Sequence, residues 1–236
     1  MGKYFKLVNY PIIPETILST KLLENDSRTH FGKQHDGSGD QMTYTVDHRA
    51  FSAITYHVGY PDNELLVNWV IDNLKKSSSA TVSDEKWRRF LKARIKVRYQ
   101  VGNPEAPSGF RVHADYNSVA ALMYFWDTGG DAVKTSWWKW RDPNTPLVSK
   151  ERSFRENPRN STNAGHLQYN DLELIESFIA QPNQWYLYCG SVLHDVQNVV
   201  GTRKYVSIFF LSFDELVEYG FDTFGLDQET LEGTRH

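Results

Sequence analysis

The sequence has little of three features that would narrow its class at once: cysteine, long apolar runs and charge of one sign. Its 236 residues include one cysteine, Cys189, so no disulfide can form within the chain and a reducing compartment is expected. No stretch approaches the roughly 20 apolar residues of a membrane span. The opening MGKYFKLVNYPIIP has no signal-peptide core, and Lys6 stands where a myristoylation signal carries Ser or Thr. These absences predict a cytoplasmic protein that does not bind membranes.

The charge balance also excludes a class of partner. The formal net charge is −3 at pH 7, so the protein as a whole has no basic field to attract nucleic acid, and nucleic acid is not an expected partner. Apolar residues make up 40% and charged residues 23%, which is typical of a globular chain. Aromatic residues reach 14%, and these favour strands.

The pattern of residues changes along the chain, although no stretch has the composition of a linker between domains. We expect a single domain over residues 1–236. Residues 1–94 form a mixed, helical support region, and residues 95–213 form a strand-rich core with an insertion at 143–183. Residues 214–236 form a C-terminal tail.

Four helices are predicted outside or between the strands. Apolar residues recur at helical spacing over 14–25 and over 61–76. A third helix begins near Ser83, which is a suitable N-cap residue. The segment DLELIESFIA, residues 171–180, is predicted as one short helix within the insertion.

Seven short runs rich in aromatic and β-branched residues are predicted as strands, and turn residues separate most of them. They cover residues 95–101, 110–115, 118–126, 134–140, 184–190, 192–200 and 204–213. Because no helices alternate with these strands, the pattern indicates an antiparallel sandwich or barrel.

Two histidines and a carboxylate in this region suggest a metal site. His113 and Asp115 are two apart in a strand and share a face, although His-x-Asp alone is a weak signal. His194, in a later strand, would complete the facial triad of non-haem Fe(II) oxygenases. Arg203 would enter an apolar strand, which is costly unless the charge is paired. Its partner is either a bound carboxylate or an acidic side chain of residues 171–176.

Three segments, taken together and in order, resemble the Fe(II)- and 2-oxoglutarate-dependent dioxygenases, particularly their prolyl-4-hydroxylase-like branch. They read VRYQVGNPEAPSGFRVHAD, AALMYFWDTGG and NQWYLYCGSVLHDVQNVVGTRKYVSIFF, and they span about half the chain, residues 97–210. The resemblance implies a fold that is mainly β with flanking helices. Its core would be a double-stranded β-helix, a jelly-roll of cupin-like form, with an N-terminal helical layer.

The same resemblance implies roles for individual residues. Three would be iron ligands: His113, Asp115 and His194. Arg203 would bind the C5 carboxylate of 2-oxoglutarate, Tyr99 would donate a hydrogen bond to it, and Tyr124 would line that pocket. Tyr205 departs from the Arg-x-Ser form of another branch and disfavours the small-metabolite synthases. The presence of Asp115 disfavours halogenation, since halogenating relatives have a small residue there.

The implied activity is hydroxylation of a C–H bond, coupled to decarboxylation of 2-oxoglutarate to succinate. Fe(II), 2-oxoglutarate and O2 are the implied cofactors and co-substrates, with ascorbate as a further candidate. The resemblance nominates a peptidyl, prolyl-like residue as substrate, with a free amino acid or a nucleobase as alternatives. Two other classes stay open: a non-catalytic jelly-roll or cupin-like binding protein, and a hydrolytic or isomerising enzyme with Zn(II) or Mn(II).

The Trp-rich segment SWWKWRD, residues 136–142, could form a stacking platform for a base or a sugar. The alternative is one strand whose tryptophans contribute to the core and its rim. Core and rim is the preferred interpretation.

Overall fold

The structure is a computed structural model. It describes residues 3–18, 44–46, 49–51, 56–58, 64–76, 78–79, 81–101, 108–115, 118–142 and 171–221. Most of the helix predicted over 14–25, most of the insertion and the tail beyond residue 221 lie outside the described residues.

Twelve strands are present in the described part of the chain. In order they are β1 (Phe5–Val8), β2 (Tyr44–Val46), β3 (Arg49–Phe51), β4 (Tyr56–Val58), β5 (Ile95–Val101), β6 (Ser108–His113), β7 (Ala120–Thr128), β8 (Lys134–Trp140), β9 (Leu172–Ile179), β10 (Gln184–Cys189), β11 (His194–Val199) and β12 (Thr202–Phe210). All seven strands expected from the sequence are therefore confirmed, with shifts of a few residues at their ends.

The helices confirm two predictions. Helix α1 (Glu64–Val70) continues as a π-helical turn over Ile71–Lys75, so the element predicted over 61–76 is present. Helix α2 (Asp84–Arg94) begins at Ser83, whose side chain accepts a 3.3 Å hydrogen bond from the Lys86 backbone N–H. A short helix α3 (Phe213–Glu218) follows the last strand.

Strands β5 to β12 alternate between two facing sheets. The large sheet has the order β1-β10-β7-β12-β5-β4, and the small sheet has the order β6-β11-β8-β9. Neighbouring strands in both sheets pair antiparallel throughout the described residues. The chain passes from one sheet to the other at each step except β8 to β9, which is the topology of a double-stranded β-helix. The fold is a jelly-roll flanked by helices, as the resemblance implied.

The helix predicted over residues 171–180 is wrong, because this segment is strand β9. It pairs antiparallel with β8 from Lys134↔Ile179 to Trp140↔Leu172, and a bulge interrupts the register beside Trp138. Strand β9 is the eighth strand that completes the jelly-roll, so pairing with β8 decides its conformation.

The main core lies between the helices and the outer face of the large sheet. Leu66, Leu74, Trp87 and Leu91 of the helical layer are fully buried there. From the sheet, Leu122, Trp185, Val206 and Phe210 meet them. Burying an aliphatic or aromatic side chain contributes about 1.5–3 kcal/mol, so this layer fixes the large sheet on which part of the candidate site is built. No helix among the described residues is long and apolar enough to span a membrane.

A second core, mostly aromatic, lies between the two sheets. The rings of Phe5 and Phe178 stack at 4.4 Å, and both contact the fully buried Trp137, at 5.8 and 5.7 Å between centroids. Such ring pairs stabilise beyond their buried area. This aromatic layer excludes water from the space between the sheets.

The tryptophans of β8 are packing residues. Trp137 is fully buried, whereas Trp138 and Trp140 are half-buried and pack against Val112, Leu172 and Leu193. This distribution confirms the core-and-rim interpretation.

Candidate metal centre

Two predicted ligands lie at one end of the small sheet, on neighbouring strands. His113 is the last residue of β6 and His194 is the first residue of β11, and the two are directly paired across the ladder. Asp115 follows two residues after His113, and its backbone N–H donates a 2.7 Å hydrogen bond to the Gly190 carbonyl just before β11. Strand pairing thus brings the three predicted ligand positions together. The side chain of His113 lies outside the described part of the structure.

The hydrogen bonding of His194 determines which ring nitrogen carries the proton. Its imidazole is 3% exposed, and its Nδ1 lies 2.8 Å from the Val192 carbonyl oxygen. Because a carbonyl only accepts, Nδ1 must carry the proton, and in the neutral ring Nε2 keeps its lone pair. Metal-binding histidines usually have such a second hydrogen bond, which fixes the tautomer and the ring orientation.

Two neighbouring residues lie close to the Asp115 carboxylate. The Tyr188 hydroxyl donates a 3.0 Å hydrogen bond to Asp115 Oδ2. Gly190 is the second neighbour, because an added Cβ there would be 2.6 Å from the same oxygen. Glycine is therefore required at 190 by the close approach of the carboxylate.

Tyr188 also contacts His194, edge to face, with 5.5 Å between ring centroids. One tyrosine thus touches two of the three predicted ligands, and our reading of the sequence did not identify it. Two features of the sequence could have identified Tyr188. It lies two residues after Tyr186 in β10, and it precedes His194 by six residues.

Arg203 lies on the inner face of the large sheet. Its side chain is 4% exposed, and its guanidinium lies 4.6 Å from the centre of the Phe125 ring and 5.2 Å from that of Tyr205. Both rings belong to the inner aromatic cluster that Tyr188 also contacts. Cation–π contacts of this kind stabilise a desolvated guanidinium. Arg203 and His194 therefore both lie toward the space between the sheets.

Two of the three acidic side chains of 171–176 that could have paired with Arg203 have other contacts. Glu173 pairs with Lys139 at 3.3 Å, and Glu176 accepts hydrogen bonds from the backbone N–H groups of Lys3 and Tyr4.

Gly129 allows Arg203 to sit close to the turn after β7. Its φ is +80°, and an added Cβ would lie 2.9 Å from Arg203 Cβ. The Gly129 carbonyl accepts hydrogen bonds from Val200 and Gly201, which fixes the approach of the chain to Arg203. Gly129, the first of the two glycines that end the segment AALMYFWDTGG, therefore positions the Arg203 side chain.

The structure does not bring Tyr124 to this group. Tyr124 is fully buried in the outer core, its ring contacts Trp185 at 5.1 Å, and its hydroxyl donates to Asn183 Oδ1 at 3.0 Å. Burial raises its pKa. The neighbouring Phe125 faces Arg203 instead, because residues alternate between the faces of a strand. Tyr124 is therefore a core residue.

Tyr99 belongs to β5, where it pairs with Lys204 of β12. Its side chain is outside the described part of the structure, so its predicted role stays a prediction.

The described donors fit a small divalent ion with open positions. His194 presents Nε2, Asp115 presents a carboxylate, and imidazole with carboxylate is the ligand chemistry of non-haem iron sites. Among the side chains that the structure describes, which leave out that of His113, no group of three or more His, Cys, Asp or Glu residues could hold a metal ion. His113 is the predicted third ligand, and its backbone pairs with that of His194.

Comparisons with known proteins give likenesses of fold. No protein-family model matches the sequence, and no curated protein matches it. Among solved structures, a novel N-substituted L-amino acid dioxygenase from Burkholderia ambifaria AMMD, in complex with alpha-KG, aligns with TM-score 0.31 and 16% identity. That alignment covers 51% of this chain and 50% of the dioxygenase.

Two further structures align over more of this chain. EvdMO1 aligns with TM-score 0.43 and 15% identity, over 89% of this chain and 47% of EvdMO1. AviO1 from Streptomyces viridochromogenes Tue57 aligns with TM-score 0.43 and 11% identity, over 89% of this chain and 90% of AviO1. This chain thus spans about half the length of the amino acid dioxygenase and of EvdMO1. At such low identities and TM-scores, the likenesses support no conclusion about function.

Proposed function

We propose that this chain is an Fe(II)- and 2-oxoglutarate-dependent oxygenase that hydroxylates a C–H bond. The observation that carries the proposal is the pairing of His113 with His194 across the small sheet, next to Asp115. A buried Arg203 on the facing sheet supports it. The substrate class we propose to test first is a peptidyl, prolyl-like residue.

The chain's own residues would have separate tasks. His194 would bind the metal through Nε2, with the Val192 carbonyl holding its ring in place. Asp115 would supply a carboxylate oxygen, and His113 the second imidazole. The chemistry that the bound iron and co-substrate supply is oxidation of a C–H bond, coupled to decarboxylation of 2-oxoglutarate to succinate.

Arg203 would bind the far carboxylate of 2-oxoglutarate. A guanidinium can donate two parallel hydrogen bonds to a carboxylate, and a buried site strengthens that attraction because water does not screen it. The rings of Phe125 and Tyr205 would hold the guanidinium in place and exclude water from it.

Coupled binding of metal and co-substrate tests this assignment. Melting temperature is measured with Mn(II) alone, with 2-oxoglutarate alone and with both, since Mn(II) can replace Fe(II) without turnover. At a hundredfold excess over Kd, a ligand stabilises by about 2.7 kcal/mol. For a chain of this size we expect roughly 5–10 °C, and 2-oxoglutarate should have this effect only when Mn(II) is present.

A pair of adjacent substitutions assigns the effect to Arg203. Arg203→Gln should abolish the shift from 2-oxoglutarate and keep the shift from Mn(II). Lys204→Gln is the matched control, because Lys204 pairs with Asp127 at 3.6 Å and is not in the inner cluster. If wild type shows no Mn(II)-dependent response to 2-oxoglutarate, the proposal fails and a non-catalytic jelly-roll binding protein becomes the better account.

A further inference from the structure

Tyr188 occupies a position that the proposed ligand set does not explain. It lies on β10 of the large sheet, whereas the predicted ligands lie on and beside β6 and β11 of the small sheet. Its hydroxyl is 3.0 Å from Asp115 Oδ2, and its ring meets the edge of His194. Tyr188 therefore belongs to the large sheet and contacts two predicted ligands, Asp115 and His194, on the side of the small sheet.

The contacts around Tyr188 fix its ring. The Trp137 ring lies 6.2 Å away, and the Trp137 indole N–H donates a 2.9 Å hydrogen bond to the Cys189 carbonyl, next to Tyr188 in the chain. On the other side of the ladder, Tyr188 pairs with Phe5 of β1. A hydroxyl on a ring held in this way has little freedom to leave the carboxylate.

We propose that Tyr188 is a positioning residue for the metal centre, which it serves by holding the Asp115 carboxylate and the His194 ring in place. This proposal rests on the proposed function. Tyr188 donates its hydrogen bond to Oδ2, and Gly190 lies close to the same oxygen. These two contacts restrict the orientation of the carboxylate that would bind the metal. Groups that orient a ligand in this way typically change metal affinity by 10- to 100-fold when removed.

Tyr188→Phe tests this role, because it removes only the hydroxyl. Tyr186→Phe is a matched control on the same strand and face, since the Tyr186 hydroxyl donates to Gln184 Oε1 at 2.6 Å and accepts from the Gln181 N–H at 2.9 Å. Mn(II) affinity is measured by calorimetry on the whole metal-free chain. Tyr188→Phe should weaken Mn(II) binding about tenfold, and Tyr186→Phe should leave it unchanged.

A spectroscopic readout separates positioning from a general loss of structure. The visible absorption bands of bound Co(II) depend on ligand geometry, so Tyr188→Phe should shift them and Tyr186→Phe should not. Should Tyr188→Phe fail to fold, Tyr188→Trp would keep an aromatic ring and a donor, and its Co(II) bands should also differ from those of wild type.

The outcomes distinguish the two proposals. If wild type binds Mn(II), and Tyr188→Phe binds it as tightly with unchanged Co(II) bands, the positioning role is wrong while the metal centre stands. Equal weakening by both tyrosine variants would also overturn a specific role for Tyr188. If wild type binds neither Mn(II) nor Co(II), the proposed function itself fails.

Discussion

Replacing Gly190 by alanine should damage the metal centre without touching a ligand. The new Cβ would lie 2.6 Å from Asp115 Oδ2, 3.2 Å from its Cβ and 3.3 Å from its Cγ. Ordinary contacts between such atoms begin near 3.4 Å, so the oxygen must move by about 0.8 Å to reach one. Functional groups need positions within about 0.5 Å of the productive geometry. The displacement also changes the geometry of the 3.0 Å hydrogen bond from Tyr188.

The expected result is a loss of Mn(II) affinity of about tenfold or more, by comparison with other losses of ligand support. The metal-free protein should lose about 1–3 kcal/mol of unfolding free energy from overpacking. Part of this loss is offset, because alanine restricts the unfolded chain more than glycine does and so raises the unfolding free energy by about 0.4–1 kcal/mol. Calorimetric titration with Mn(II) and urea unfolding of the metal-free chain measure the two effects.

Gly201→Ala is the matched control for this substitution. A Cβ at position 201 would meet nothing closer than the Gly129 carbonyl oxygen at 3.5 Å, so Mn(II) affinity should stay at the wild-type value. The reasoning is refuted if Gly190→Ala binds Mn(II) as tightly as wild type does.

Two further predictions concern other parts of the fold. Burial raises the pKa of the Cys189 thiol, so at a given pH it forms less thiolate than an exposed cysteine does. A thiol reagent such as DTNB should therefore modify the native protein slowly and the urea-unfolded protein at once, and equal rates would contradict the burial. Ser83→Ala should lower the unfolding free energy by about 1 kcal/mol, because it removes the side chain that accepts a hydrogen bond from the Lys86 N–H at the start of α2. Ser83→Asp should keep most of the wild-type unfolding free energy, measured by urea unfolding. If both variants match wild type, the cap does not stabilise the protein.

Much of the core could be predicted because its strands are runs of aromatic and β-branched residues that turn residues separate. Strands β5 and β8 have the predicted ends, since turn residues and changes in composition mark them. Strand β9 could not be predicted in this way. Its apolar residues Leu172, Leu174, Ile175, Phe178 and Ile179 include i, i+3 and i, i+4 pairs, which are typical of a helix. In the strand, a bulge beside Trp138 shifts the register, and a bulge depends on the partner strand.

The candidate site shows the same limit at single residues. His113, Asp115, His194 and Arg203 follow from an ordered motif, and their roles stay predictions. The resemblance implies that Tyr124 lines the pocket. In the structure Phe125 has the inward position instead, because a shift of one residue moves a side chain to the opposite face of the strand. Tyr188 contacts Asp115 only through packing of the two sheets, which spacing along the chain does not report.

The most direct test of the central claim is aerobic conversion of 2-oxoglutarate to succinate, measured with and without Fe(II), for wild type, His113→Ala and His194→Ala. The account predicts Fe(II)-dependent succinate formation by wild type and its loss in both variants. Turnover that His113→Ala retains at the wild-type rate would contradict the account.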